Sequence, residues 1–112
     1  MKAGYTYIIS NINRTVLYTG VTSDLERRIL EHKAKVGSRF ASKYNCSDLL
    51  YYEEFDNIED AISREKIIKN RNSKWKWDLI KEENIELIDL AFDWFNQEDI
   101  QSIIDEITLY KR

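Results

Sequence analysis

No proline occurs among these 112 residues, cysteine and histidine occur once each, and glycine three times. The missing prolines exclude a proline-rich linker, and no repeat or low-complexity stretch divides the chain. The lone Cys46 cannot close an internal disulfide, and with no partner at metal-ligand spacing it reads as a plain buried or loop thiol. With His32 the only histidine, a His-based metal cluster is excluded, and no nucleophile-elbow pattern supports a Ser-His-Asp triad. No run of about 18 apolar residues is present, which excludes a membrane-spanning helix. The N-terminus enters a strand pattern instead of a signal-peptide apolar region. A cytoplasmic protein with no membrane association is expected.

What is present suits one folded unit. Hydrophobic residues make up 43%, aromatics 12% and charged residues 33%, a balance that excludes disorder. The net charge of −3 hides an asymmetry. Residues 1–81 carry 15 Lys and Arg against 11 Asp and Glu, whereas residues 82–112 carry 2 against 9. A mildly basic body with an acidic C-terminal segment permits an anionic partner on one part of the surface.

Two β-branched and aromatic runs, Tyr5–Ser10 and Thr15–Val21, flank the turn-forming Asn11-Ile12-Asn13-Arg14 and predict an antiparallel hairpin. A two-residue loop at Ile12-Asn13 would set Tyr7 opposite Tyr18, both phenols on one face. Ser23 and Glu26 form a capping-box pattern for a helix to about Lys35, its apolar stripe being Leu25 and Ile29. Arg28 and His32 stand at i and i+4 on the shoulder of that stripe. Residues 36–45 predict a loop or short helix, and Leu49–Phe55 a third strand. Asn57 is placed to cap a helix from Ile58 to about Asn70, and Ser73 another to Glu83. Asn96 is placed to cap an amphipathic helix carrying Ile100, Ile103, Ile104 and Ile107.

Glu65 falls on the stripe Ile58, Ala61, Ile62, Ile68, where an ionised carboxylate is costly unless paired or bound to a cation. An ion pair with an arginine such as Arg28, a helix rotated toward water, and a metal site all answer that cost. A lone carboxylate suits Mg²⁺, which keeps most of its waters. Tyr7 and Tyr18 are equally at home as packed strand residues, and a phenol works as a base near neutrality only beside a cation or a metal. Arg28 and His32 also fit an ordinary solvated helix face. Arg71, Lys74 and Trp75, with Lys76 and Trp77, interleave cations and indoles that suit bases and phosphates. Trp77 reads as core and Trp75 as the contact residue. The isoleucine helix suits docking on the body or a homodimer seam.

Taken together, Tyr5-Thr6-Tyr7-Ile8-Ile9-Ser10-Asn11, Tyr18-Thr19-Gly20-Val21-Thr22, Asp24-Leu25-Glu26-Arg27-Arg28-Ile29 with Glu31-His32-Lys33, Lys43-Tyr44, and Arg64-Glu65-Lys66 with Ile68-Lys69 resemble the GIY-YIG nuclease superfamily. The likeness is to its small single-domain bacterial members, over about residues 4–90. Tyr5-Thr6-Tyr7 stands for the Gly-Ile-Tyr triplet and Tyr18-Thr19-Gly20 for Tyr-Ile-Gly. The resemblance implies an α/β (α+β) fold, a small three-stranded antiparallel sheet flanked by helices, within a domain spanning 1–90. Residues 91–112 would form an acidic helical extension packed on it.

The activity implied is hydrolysis of DNA phosphodiesters with one divalent ion, Mg²⁺ or Mn²⁺, in DNA repair or recombination, on branched or damaged DNA. By position Tyr7 would be the general base or part of a relay, with Tyr18 assisting it. Arg28 would stabilise phosphoryl charge, His32 would support the relay or the phosphate, and Glu65 would bind the metal. The family asparagine is matched by Asn84, with Asn72 as the alternative. Arg27, Lys43, Arg71, Lys74 and Trp75 are expected nucleic-acid contacts. The chain would act as a monomer or weak homodimer, with a protein partner also open. Two rival readings remain, a non-cutting nucleic-acid-binding module of the same fold and a protein-interaction module using the acidic helix.

Overall fold

Strand formation follows the β-branched and aromatic runs in a computed structural model that describes residues 2–110. Strands β1 (Gly4–Ser10), β2 (Leu17–Thr22) and β3 (Asp48–Phe55) form an antiparallel sheet in the order β2-β1-β3. The central strand β1 is buried along nearly its whole length, as a strand covered on both faces should be. The fold is α+β, as expected.

The hairpin register differs from the sequence expectation. Tyr7 pairs with Gly20 and Ile9 with Tyr18, and the ladder closes at Ser10 and Leu17. Asn11 is the cause. Its Oδ1 accepts the amides of Thr15 at 2.9 Å and Val16 at 3.0 Å, which takes those residues out of the ladder and lengthens the turn. The displacement is two residues, so side-chain parity survives and the two phenols still share a face.

Five helices follow the capping signals, with small shifts. α1 (Leu25–Lys33) is capped by Asp24, not Ser23, and stops before Lys35. α2 (Arg39–Lys43) is capped by Ser38, and α3 (Ile58–Lys69) by Asn57. α4 (Ser73–Glu83) is capped by Asn72 in place of Ser73. α5 (Gln97–Tyr110) starts at a reciprocal cap in which Asn96 Oδ1 accepts the Asp99 amide and the Asp99 carboxylate accepts the Asn96 amide.

Strand alternation divides the core. Tyr7, Ile9 and Leu49 pack with Leu25 and Ile29 of α1, Ala41 of α2, and Ala91. Ile8, Leu50 and Tyr51 pack with Ile68 of α3 and Ile80 of α4. The outer edge of β3 is covered by the segment leading to α5. Leu90 donates its amide to the Leu49 carbonyl, Asp89 accepts the Leu49 amide, and Lys33 Nζ meets Asp89 at 2.6 Å. Such cover removes the exposed edge that an unpaired strand presents. α5 lies against α1 with Ile103 buried; residues 111 and 112 of the expected extension are outside the described part.

Candidate active site

The phenol of Tyr7 projects from the central strand across β2 at Gly20. A Cβ on that glycine would lie 2.4 Å from Tyr7 Oη, so only glycine leaves room for the ring. Tyr7 is fully buried. Its oxygen lies 2.7 Å from His32 Nε2 and accepts from Arg28 Nε at 3.3 Å. Both partners come from α1, one turn apart, which is what an i, i+4 pair on a helix delivers.

His32 is buried and its Nδ1 has no hydrogen-bond partner. Gly37 presses its Cα toward this edge, where a Cβ would stand 2.7 Å from Nδ1. An orphaned buried N–H is rarer than an orphaned acceptor, which favours a proton on Nε2 donated to Tyr7. The phenol oxygen then receives two hydrogen bonds, from an imidazole and from a guanidinium. Burial, with the Arg28 charge second, lowers the His32 pKa to about 4, so the ring is neutral near pH 7.

Arg28 is fixed by Glu31 at 3.0 Å and by the Gly37 carbonyl at 3.2 Å. Burial opposes its charge, but hydrogen bonds with Glu31 and Tyr7 outweigh that and raise its pKa. Burial raises the Tyr7 pKa well above the ordinary phenol value, while Arg28 lowers it and Tyr18 and Glu65 add smaller upward contributions. Tyr18 closes the group, its ring 6.4 Å from Tyr7 and 5.6 Å from His32.

Glu65 lies in line with the buried Ala61 and Ile68 on α3, whereas Ile62 is turned toward solvent. Its side chain is 14% exposed and pairs with Lys69 at 3.3 Å, a lysine itself half exposed. The pair with Arg28 is not formed, since Arg28 pairs with Glu31. A nearly buried carboxylate offset by one half-exposed ammonium retains capacity for a cation. No cluster of three or more His, Cys, Asp or Glu exists among the described residues. A single carboxylate near a phosphate fits Mg²⁺ or Mn²⁺, which complete their shells with water and phosphate oxygens.

The other sequence candidates lie elsewhere. Asn84 is buried, and its side chain bonds only backbone: Nδ2 to the carbonyls of Leu50 and Ile88, and Oδ1 from the Ile88 amide. Asn72 caps α4. Arg27 is held by both carboxylate oxygens of Glu106, at 3.3 and 3.2 Å, and by Glu31. Arg71, Lys74 and Trp75 belong to the α3–α4 face of the sheet, opposite Tyr7. There the guanidinium groups of Arg64 and Arg71 lie 5.8 and 5.4 Å from the Trp75 ring centre, and Lys74 pairs with Asp78. Trp75 and Trp77 are both half-buried against the second core, so the division into one core and one contact tryptophan does not hold. Lys43 is exposed on α2, its ammonium 5.3 Å from the Tyr44 ring.

Gly37 and Glu31 hold His32 and Arg28 in place; Glu31 stands in the motif Glu31-His32-Lys33 without an expected role, and Gly37 has none. The only local signal was a glycine in an otherwise unpatterned stretch. Cys46 is free and buried, as expected.

A three-stranded antiparallel sheet flanked by helices, with a phenol, a guanidinium and an imidazole gathered on one face, defines a small domain of the α+β class. The GIY-YIG catalytic domain matches residues 3–78, and the chain belongs to the GIY-YIG family. Three UPF0213 proteins of Streptococcus pyogenes, from serotypes M3, M1 and M4, are each 38% identical over 73 residues, which is 65% of this chain and 78% of the relative. No solved structure matches. Asn84 and α5 lie beyond the span matched by the family. Among the described residues no helix is long and apolar enough to cross a membrane.

Proposed function

We propose that the chain is a divalent-metal-dependent endonuclease that hydrolyses DNA phosphodiesters, acting in repair or recombination on branched or damaged DNA. The observation that carries this is the Tyr7 oxygen held between Arg28 and His32. A resting phenol with a raised pKa is a poor base. It becomes one when positive charge is added beside it, and neutralising Glu65 removes one of the charges that oppose its ionisation.

In the proposed reaction Tyr7, its own proton released to solvent, takes a proton from the water whose oxygen attacks phosphorus, and the P–O bond to the leaving alkoxide breaks as that oxygen takes up a proton from solvent. Arg28 offsets charge growing on the phosphoryl oxygens and on the phenolate, and His32 donates to that same phenolate from Nε2. Glu65 would hold Mg²⁺ or Mn²⁺, which supplies further positive charge beside the phosphoryl oxygens. Tyr18 orients the water, and Asn84 serves by fixing β3 and the segment after α4.

Incubating a panel of end-labelled single-stranded, duplex, flapped and branched DNA with Mg²⁺ tests this. Cleavage by wild type is expected, with losses of roughly 10²–10³-fold for Arg28→Ala and a comparable fall for Glu65→Gln. Absence of product from every substrate, or equal rates for all three proteins, would remove the assignment. It would leave a non-cutting binding module as the reading to pursue.

A further inference from the structure

The aromatic cluster does not stop at Tyr18. Phe40 stacks on Tyr18 with centroids 6.0 Å apart and planes 27° apart, and Tyr44 continues the row at 4.7 Å from Phe40. Phe40 and Tyr44 are 46% and 41% exposed, so a row of rings that begins beside His32, with Tyr44 tilted 45° from Phe40, ends on the surface of α2 and its C-cap. Two touching aromatics left open to water on a short helix contribute little to the core. Such a patch marks a surface with something to bind.

Its charge indicates what. Between Glu31 and Asp48 the sequence carries Lys33, Lys35, Arg39 and Lys43 and no carboxylate. Lys33 is occupied by Asp89. The other three are exposed, line one surface cleft beside Gly37, and form no ion pair among the described residues. Exposed rings flanked by three cations with no ion-pair partner among the described residues complement a nucleobase joined to its phosphate. A duplex hides its base faces within its own stack and gains nothing from such a platform.

We propose that α2 is a nucleotide-stacking subsite: Phe40 and Tyr44 receive unpaired bases of the strand whose phosphate meets Tyr7, and Lys35, Arg39 and Lys43 hold the neighbouring phosphates. This rests on the nuclease reading for its orientation and narrows the substrate to DNA with unpaired nucleotides beside the cut. Flaps, gaps and fork junctions qualify; continuous duplex does not.

The test separates binding from cutting. Fluorescence anisotropy in EDTA compares a labelled oligothymidine with a duplex of equal length, using the full chain and its variants. Tighter binding of the single strand is expected for wild type. Phe40→Ala and Tyr44→Ala should each weaken that complex by roughly tenfold or more and leave duplex binding little changed. Lys43→Ala and Arg39→Ala should weaken both complexes and lower the salt dependence. Phe40→Trp, which keeps a stacking face, should bind like wild type, whereas Phe40→Leu, which keeps only apolar bulk, should bind like Phe40→Ala. Unchanged single-strand affinity in well-folded Phe40→Ala and Tyr44→Ala, rescue by leucine equal to that by tryptophan, or a wild-type preference for duplex would overturn the subsite. Cleavage in Mg²⁺, scored separately, tells the two readings apart. Stacking without cleavage keeps the platform and removes the nuclease, and cleavage with no effect at Phe40 or Tyr44 does the reverse.

Discussion

His32 shows how one residue can be legible in kind and not in environment. Its spacing from Arg28 placed it beside the helix stripe, but full burial and an unpartnered Nδ1 arise from β1, which is distant in sequence, and from the turn after α1 that brings Gly37 back against the ring. Burial also couples the ring to pH. The unfolded chain takes up a proton near pH 6.5 and the folded one only near pH 4, so between those values the unfolded state binds more protons and stability falls as pH falls. The stabilisation is fully present above about pH 6.5, and on the order of 3 kcal/mol is lost by pH 4. Chemical denaturation across pH 4–8 should show this slope, and His32→Gln should flatten it. Gly20 makes a second residue-scale prediction. Gly20→Ala puts a methyl onto the Tyr7 phenol, which should cost about 1–3 kcal/mol of stability. Any cleavage activity should drop by more than that destabilisation explains, checked at a temperature where the variant is still folded.

Among elements, the helices were the more readable. The caps Asn57 and Asn96 and the extent of α4 and α5 followed from local chemistry, and the errors at Ser23 and Ser73 were single-residue choices between neighbouring cap formers. The hairpin loop was misjudged because propensity does not show that the Asn11 side chain would accept two downstream amides. The segment after α4 was the least legible. Its acidic and apolar residues have no period, because their partners lie along the edge of β3. Asn84 is the joint of that segment. Asn84→Ala strands the Leu50 and Ile88 carbonyls and the Ile88 amide and should destabilise by about 2–4 kcal/mol. A urea midpoint within error of wild type would refute that joint. The Arg27–Glu106 pair, with both side chains nearly half exposed, contributes little by comparison.

At the scale of the molecule, charge and shape divide the labour. One sheet face carries Tyr7 and Tyr18, meets Arg28 and His32 of α1 and leads to α2, while the acidic C-terminal segment covers the edge of β3, packs Ala91 into the same core and pairs Glu106 with Arg27 on α1. The central claim is that the Tyr7 oxygen takes part in phosphodiester hydrolysis, and removing that one atom tests it most directly. Single-turnover cleavage of a labelled flapped DNA in Mg²⁺ should be slower by roughly 10²–10⁴-fold in Tyr7→Phe, with thermal unfolding showing that the variant is folded. A folded Tyr7→Phe protein that cuts at the wild-type rate would contradict the account.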